Sequence, residues 1–170
     1  MIQDVEGDIL LTGAEAIAHG VAPFDNFANG LALSLRERFP SMAKDFRHYC
    51  QQANPKPGEI WFWSGVAQDG RPVRIVNLLT QAPVAGHVGT PGRATLPNVN
   101  HALKALATLM AAEKLNSLAL PRLATGVGGL EWQDVRPLLD RNLSGLGIPI
   151  IVYSTYRKDV KAVEKLRLAA

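Results

Sequence analysis

The chain has 170 residues, 47% of them apolar and 19% charged, with a formal charge of +3 and a pI near 9.2. These values describe one globular domain that buries roughly two-thirds of its unfolded surface, and they exclude a disordered chain. No run reaches the ~20 apolar residues of a membrane span and Met1–Asp8 is acidic where a secretory leader is basic. Cys50 is the single cysteine, which rules out an internal disulfide and a cysteine-based metal cluster. A cytoplasmic protein with no bound metal is the expectation.

Ile2–Leu11 and Ala16–Ala18 read as strands joined by a turn at Thr12-Gly13. The loop His19–Gly30 follows. Within it Asn26 is placed to cap a helix that carries Leu31, Leu35 and Phe39 on one face and ends at Pro40. Ser41 then caps a second helix through Gln51, closed by Asn54-Pro55-Lys56-Pro57-Gly58. Glu59–Gly65 and Val73–Thr80 form a hairpin about Gln68-Asp69-Gly70. Trp61 and Trp63 share one face of its first strand, which suits either core packing or base stacking.

Gln81–Thr95 is expected to be a Gly- and Pro-rich loop of about fifteen residues, with His87 near its middle; loops of that length are often binding loops or lids. A helical period runs through Val99, Ala102, Leu103, Leu106, Leu109 and Met110 over Asn98–Leu115. Ser117–Leu120 is a buried strand, Glu131–Leu143 a helix ended by Gly145-Leu146-Gly147, and Ile148–Ser154 an apolar strand. A terminal helix starts near Tyr156, its Arg157, Lys158, Lys161, Lys165 and Arg167 forming a solvated face rather than a nucleic-acid footprint.

Helices and strands alternate through the second half, which gives an α/β sheet with helices on both faces. Ligands of such sheets bind beyond the carboxyl ends of the strands, where His19–Gly30, Gln81–Thr95 and Ala124–Gly129 emerge. Ala124–Gly129 holds three glycines in four positions between a strand and a helix start. Glycine permits positive φ and lets amides approach an anion closely. The helix adds unpaired N–H groups and the positive end of its dipole. The spacing fits neither the Rossmann fingerprint nor the P-loop, and a tight strand-to-helix turn with no ligand would use the same residues.

Together these segments resemble the macro domain family. Gly7-Asp8-Ile9-Leu10 is similar to its Gly-Asp-(Ile/Leu) element, and Ala18-His19 through Asn29-Gly30-Leu31-Ala32 to its first phosphate loop. Leu120–Trp132 is similar to its second phosphate loop, the most specific part of the match, and Ile150–Thr155 to its closing strand. The resemblance spans essentially the whole chain. It implies an α/β fold, a three-layer α/β/α sandwich with a mixed, mostly parallel six-stranded sheet, and ADP-ribose as ligand with no further cofactor. Carried over by position, it implies that Asp8 and Ile9 hold the adenine, with Thr155 or Tyr153 packed on it. His19, Ala22, Asn29, Gly30 and Leu31 then belong to the first loop, and Arg122, Leu123, Ala124, Thr125, Gly126, Val127, Gly128 and Gly129 to the second. Asp8 is able to accept a hydrogen bond from adenine N6; a turn aspartate bonded to its own backbone is the plainer alternative.

Within the family, His19-Gly20-Val21-Ala22 in place of Asn-x-x-Asn looks closest to the subgroup that removes ADP-ribose from acidic side chains or DNA bases, or acts on ADP-ribose 1″-phosphate. In the best-studied glycohydrolases of that subgroup a lysine attacks C1″; its position here is Gln81, and an assisting aspartate falls at Gly128. A glutamine cannot form the Schiff-base-type intermediate of an amine. The implied function is binding of ADP-ribose with removal or reading of ADP-ribosyl groups on protein or nucleic acid, and 1″-phosphate hydrolysis stays open. His19 and Gln81 are the catalytic candidates, His19 as a group that titrates near neutral pH or as one that bonds loop backbone. Asp25 and Asn26 reach the distal ribose or serve the turn, His87 covers it or faces solvent, and Cys50 packs. A rival class, a nucleic-acid-binding module, follows from the pI, the three tryptophans and the basic tail; steep salt dependence would mark it.

Overall fold

The computed structural model describes residues 2–167. Strands that carry helices on both faces must be apolar on both, and the uncharged segments Ala16–Gly20 (β2) and Leu118–Pro121 (β7) lie side by side at the middle of the sheet. Around them are Ile2–Gly7 (β1), Ile60–Val66 (β3), Pro72–Leu78 (β4) and Ile150–Tyr156 (β8), in the order β1-β8-β7-β2-β4-β3. Every pairing is parallel except β3 with β4, which is the expected hairpin. The helices are α1 (Gly30–Arg38), α2 (Pro40–Ala53), α3 (Leu96–Ala112) and α4 (Trp132–Leu143).

Val99, Leu103 and Leu106 of α3 and Val135 and Leu139 of α4 bury one sheet face against Val76, Leu78, Leu118, Leu120, Ile150 and Val152. Leu35, Met42, Phe46 and Cys50 of α1 and α2 cover Ile75 and Leu79 on the other, and that layer continues through Ile9, Ile17, Ala119, Ile151, Tyr153 and Ala162. The three-layer α/β/α sandwich with a mixed, mostly parallel six-stranded sheet is therefore present. Trp61 and Trp63 are spent in it: Trp61 stacks on Tyr49 at 5.5 Å, and Trp63 packs against Phe39 at 6.0 Å.

Several local expectations are corrected. The first strand stops at Gly7, whose φ of 156° and close approach to the tail admit only glycine: a Cβ would stand 2.8 Å from the Val160 carbonyl. Asp8 then caps a 3₁₀ turn at Ile9–Leu11. Asn29, not Asn26, caps α1, while Asn26 Oδ1 accepts from the Ala28 amide at 3.1 Å. Pro40 opens α2 rather than merely ending α1, with Phe39 as the cap in place of Ser41; proline has no N–H to lose in a first turn.

Gln81–Thr95 is not structureless. It folds as an antiparallel hairpin, Gln81–Val84 (β5) with His87–Ala94 (β6). The expected terminal helix does not form among the described residues either. Residues 157–167 form an irregular strap that long-range hydrogen bonds hold along β1: the Asp8 amide donates to the Val160 carbonyl (2.7 Å), and Gln3 exchanges two bonds with Lys165. Glu164 accepts from Thr12 Oγ1 (2.5 Å), the Gly13 amide (2.9 Å) and Tyr153 Oη (2.8 Å).

Candidate functional site

The carboxyl ends of β1, β8, β7, β2 and β4 open on two adjoining hollows. The first, about 340 Å³, is lined by Gly7, Ile9, Leu10, Ser34, Tyr153 and Tyr156. The second, about 270 Å³, is lined by His19, Gly20, Asp25, Asn29, Ala32, Gln81, Pro91, Arg122–Ala124 and Gly126–Gly128. Both share Gly30, Leu31 and Pro121, so they are an apolar and a polar end of one cleft. From β8 to β4 is three strand spacings, about 14 Å.

Unpaired amides line the middle of this cleft. Asn29 caps α1 without a side-chain bond, and the first helical bond runs from the Leu33 amide to the Asn29 carbonyl at 3.2 Å. Among the described residues, the amides of Gly30, Leu31 and Ala32 have no partner, as expected of a first helical turn. Opposite, the loop after β7 turns back at Ala124 (φ 62°), held by bonds from Gly129 to Gly126 and from Leu130 to Ala124, both 3.0 Å. That leaves the amides of Gly126, Val127 and Gly128 without a partner among the described residues. The two glycines differ in kind. A Cβ on Gly128 would stand 2.6 Å from the Ala124 carbonyl oxygen, whereas one on Gly126 would meet nothing within 4 Å. Two sets of convergent N–H groups, one with a helix dipole behind it, can hold an anion with no cation in the chain.

At the β2–β4 end, His19 is 2% exposed and hydrogen-bonds Asn77 Oδ1 through Nε2 at 2.7 Å. Asn77 turns its Nδ2 toward the Trp61 carbonyl, so its oxygen faces His19 and Nε2 is the donor. Burial pushes the His19 pKa down to about 4, outweighing the Asn77 bond. Asp25 accepts from the Ala22 and Phe27 amides, both at 2.9 Å, and burial raises its pKa. Gln81 donates Nε2 to the Gly92 carbonyl (2.9 Å) across the hairpin, while its Oε1 and the buried, unpartnered Thr80 hydroxyl face Gly20.

Of the residues expected at the site, Ile9, His19, Asp25, Asn29, Gly30, Leu31, Gln81, Arg122, Leu123, Ala124, Gly126, Val127, Gly128 and Tyr153 line the cleft. The others do not. Asp8 is buried and spends its oxygens on the Leu10 and Asp159 amides, both at 3.0 Å. The Ala22 amide serves Asp25, and Thr125 donates its hydroxyl to the Arg122 carbonyl at 3.0 Å. Gly129 abuts Arg93. Thr155 is exposed on β8, and His87 sits exposed at the hairpin tip. Tyr156, 60% exposed at the apolar end, is the residue the sequence reading missed; the apolar run of β8 leading to an aromatic was the available signal. Among the described residues no cluster of His, Cys, Asp or Glu is built to hold a metal, and no helix is long and apolar enough to cross a membrane.

The sequence profile of the Macro domain family matches residues 19–139, taking in both amide-lined loops. The chain belongs to the macro domain family. It is 26% identical to the DNA ADP-ribosyl transferase–DNA ADP-ribosyl glycohydrolase fusion protein of Thermosipho africanus, over 94% of this chain and 43% of that protein. It is 27% identical to the DNA ADP-ribosyl glycohydrolase of Thermus aquaticus, over 90% of this chain and 41% of that one. This macro domain thus spans less than half the length of these curated relatives. Among solved structures, the macrodomain of Mycobacterium tuberculosis DarG superposes with a TM-score of 0.80 at 24% identity, covering 91% of this chain and 99% of that one.

Proposed function

We propose that this macro domain binds ADP-ribose and recognises ADP-ribosyl groups carried by nucleic acid or protein. The adenine occupies the apolar hollow against Tyr156 and Ile9, the diphosphate lies across the amides of α1 and of Gly126–Gly128, and the distal ribose reaches His19, Asp25 and Gln81. One observation carries the reading: two sets of unpaired amides converge in a cleft of about 14 Å that is apolar at one end and polar at the other. The names of the relatives, which act on ADP-ribosylated DNA, support it. The buried, unpaired Cys50 suits a reducing cytoplasm.

The amine chemistry implied by the family resemblance has no counterpart at Gln81, whose amide nitrogen is not nucleophilic and is bonded to Gly92. A sequence-independent nucleic-acid module is less well supported, since Trp61 and Trp63 are packed and Arg157 is paired with Glu6 at 3.0 Å. Retention of an ADP-ribosylated single-stranded oligonucleotide on the immobilised domain tests the proposal. Release by free ADP-ribose at unchanged salt is expected. Release by salt alone, with ADP-ribose inert, would contradict it.

A further inference from the structure

The six-stranded sheet ends in β1 and β3, and an outer strand offers unpaired N–H and C=O groups to any extended chain. The strap covers β1 through its bonds to Gln3, Gly7 and Asp8. No described segment covers β3. The Ala67 amide bonds the Arg71 carbonyl and the Leu79 amide the Glu59 carbonyl, both at 2.9 Å, so the odd-numbered residues of β3 are the ones hydrogen-bonded to β4. Ile60, Phe62, Ser64 and Val66 therefore turn their N–H and C=O outward, and none of these groups has a partner among the described residues.

The outer strand of a monomer is normally short, charged, bulged or interrupted by proline. β3 has seven residues, Ile-Trp-Phe-Trp-Ser-Gly-Val, with no charge, no proline and an unbroken register against β4. Two features at its ends fit each other. An open groove of about 480 Å³ lies between the start of β3 and α3, with Ile60, Ala105 and Thr108 on its walls. At the other end Val66 is 68% exposed, on the same face of the strand as Ile60.

We propose that two copies of this chain join by antiparallel pairing of β3 with β3 about a two-fold axis at Trp63, making one continuous sheet. That axis sets Ile60 opposite Val66 and Phe62 opposite Ser64, so every outward amide meets a carbonyl of the other copy. A register shifted by two residues leaves Ile60 or Val66 without a strand residue opposite. The same axis carries Val66 of each copy to the groove at the start of the other's β3, and Lys56 to the turn that holds the other's Asp69. An extended segment of a different protein would use the outward amides, but would not account for the match between Val66 and the groove. β3 contributes no residue to the ADP-ribose cleft, so ligand binding is an independent readout.

Sedimentation equilibrium of the full chain over about 1 to 100 μM tests the proposal, with half-association expected on the order of 10 μM. The mass should rise from the 18.4 kDa of one chain toward twice that value. Val66→Lys, at an exposed position, should weaken association at least about tenfold by placing a charge on the paired edge, while its melt and its affinity for ADP-ribose match wild type. Ser64→Pro removes an outward N–H and none that faces β4, and should abolish association. Hydrogen exchange gives a readout free of any substitution: the amides of Ile60, Phe62, Ser64 and Val66 should slow as the wild-type concentration rises. A chain that keeps the mass of one copy at every concentration, a dimer that both substitutions leave intact, or outward amides that exchange equally fast throughout overturns the proposal.

Discussion

Gly126→Glu separates ligand binding from folding. No heavy atom lies within 4 Å of the position of a Gly126 Cβ, and its φ lies outside the left-handed region, so the fold accommodates a side chain there. The new carboxylate would stand where the proposed diphosphate lies. Two unit charges 4 Å apart repel by about 1 kcal/mol in water and about 4 kcal/mol at an effective dielectric of 20. Gly126 is exposed, so the lower figure applies, about 2 kcal/mol for the two charges of a diphosphate. Losing the close approach of one amide adds about 1 kcal/mol. The total, about 3 kcal/mol, weakens ADP-ribose binding roughly 100-fold. Calorimetric titration measures the loss, and a thermal melt within about 2 °C of wild type shows that the fold is intact. Gly126→Ala, which adds no charge, should bind within about threefold of wild type. Unchanged affinity of Gly126→Glu with an unchanged melt would refute the placement of the diphosphate.

Gly128→Ala should do the opposite, costing about 1–3 kcal/mol of stability because its Cβ meets the Ala124 backbone at 2.6 Å; a melt lowered by several degrees checks it. Tyr156→Ala should weaken ADP-ribose and AMP alike by about 1–2 kcal/mol, the scale of one base stacked on an aromatic ring. Its stability should not change, since the side chain is 60% exposed. Acid should destabilise the domain through His19, whose pKa falls from 6.5 in the free side chain to about 4 when buried. Below pH 6.5 the unfolded chain binds a proton that the folded chain refuses, so stability drops until about pH 4 and then levels, by about 3 kcal/mol in all. Asp25, with its raised pKa, acts in the opposite sense at the acid end. Melts of wild type and His19→Gln between pH 7 and 4 should diverge in slope, and parallel slopes would exclude His19 as the cause.

The parts of the fold legible in the sequence are those fixed by local pattern. The apolar period of α3, the β3–β4 hairpin and the glycine loop after β7 each carry their structure in neighbouring residues. The strap at residues 157–167 does not: its backbone is held by Gln3 and Asp8 and its Glu164 side chain by Thr12, some 150 positions away, and charge at helical spacing imitates a helix. The β5–β6 hairpin is hidden because Gly86 and Gly89 take positive φ and leave no alternating apolar face. At the site, the amide loops were readable from Gly, Asn and helix position. The recruitment of Asp8 by the backbone was not, because one of its partners, Asp159, lies in the strap. Tyr156 is the last residue of β8, and the charged stretch after it imitates a helix start there.

The most direct test of the account is calorimetric titration of the domain with ADP-ribose, with AMP and a short single-stranded DNA as controls. Saturable one-to-one binding of ADP-ribose on the order of micromolar, about −8 kcal/mol, little changed between low and moderate salt, is the predicted result. No heat with ADP-ribose, and instead DNA binding that collapses as salt rises, would contradict the ADP-ribose cleft and leave the unpaired amides as structure alone.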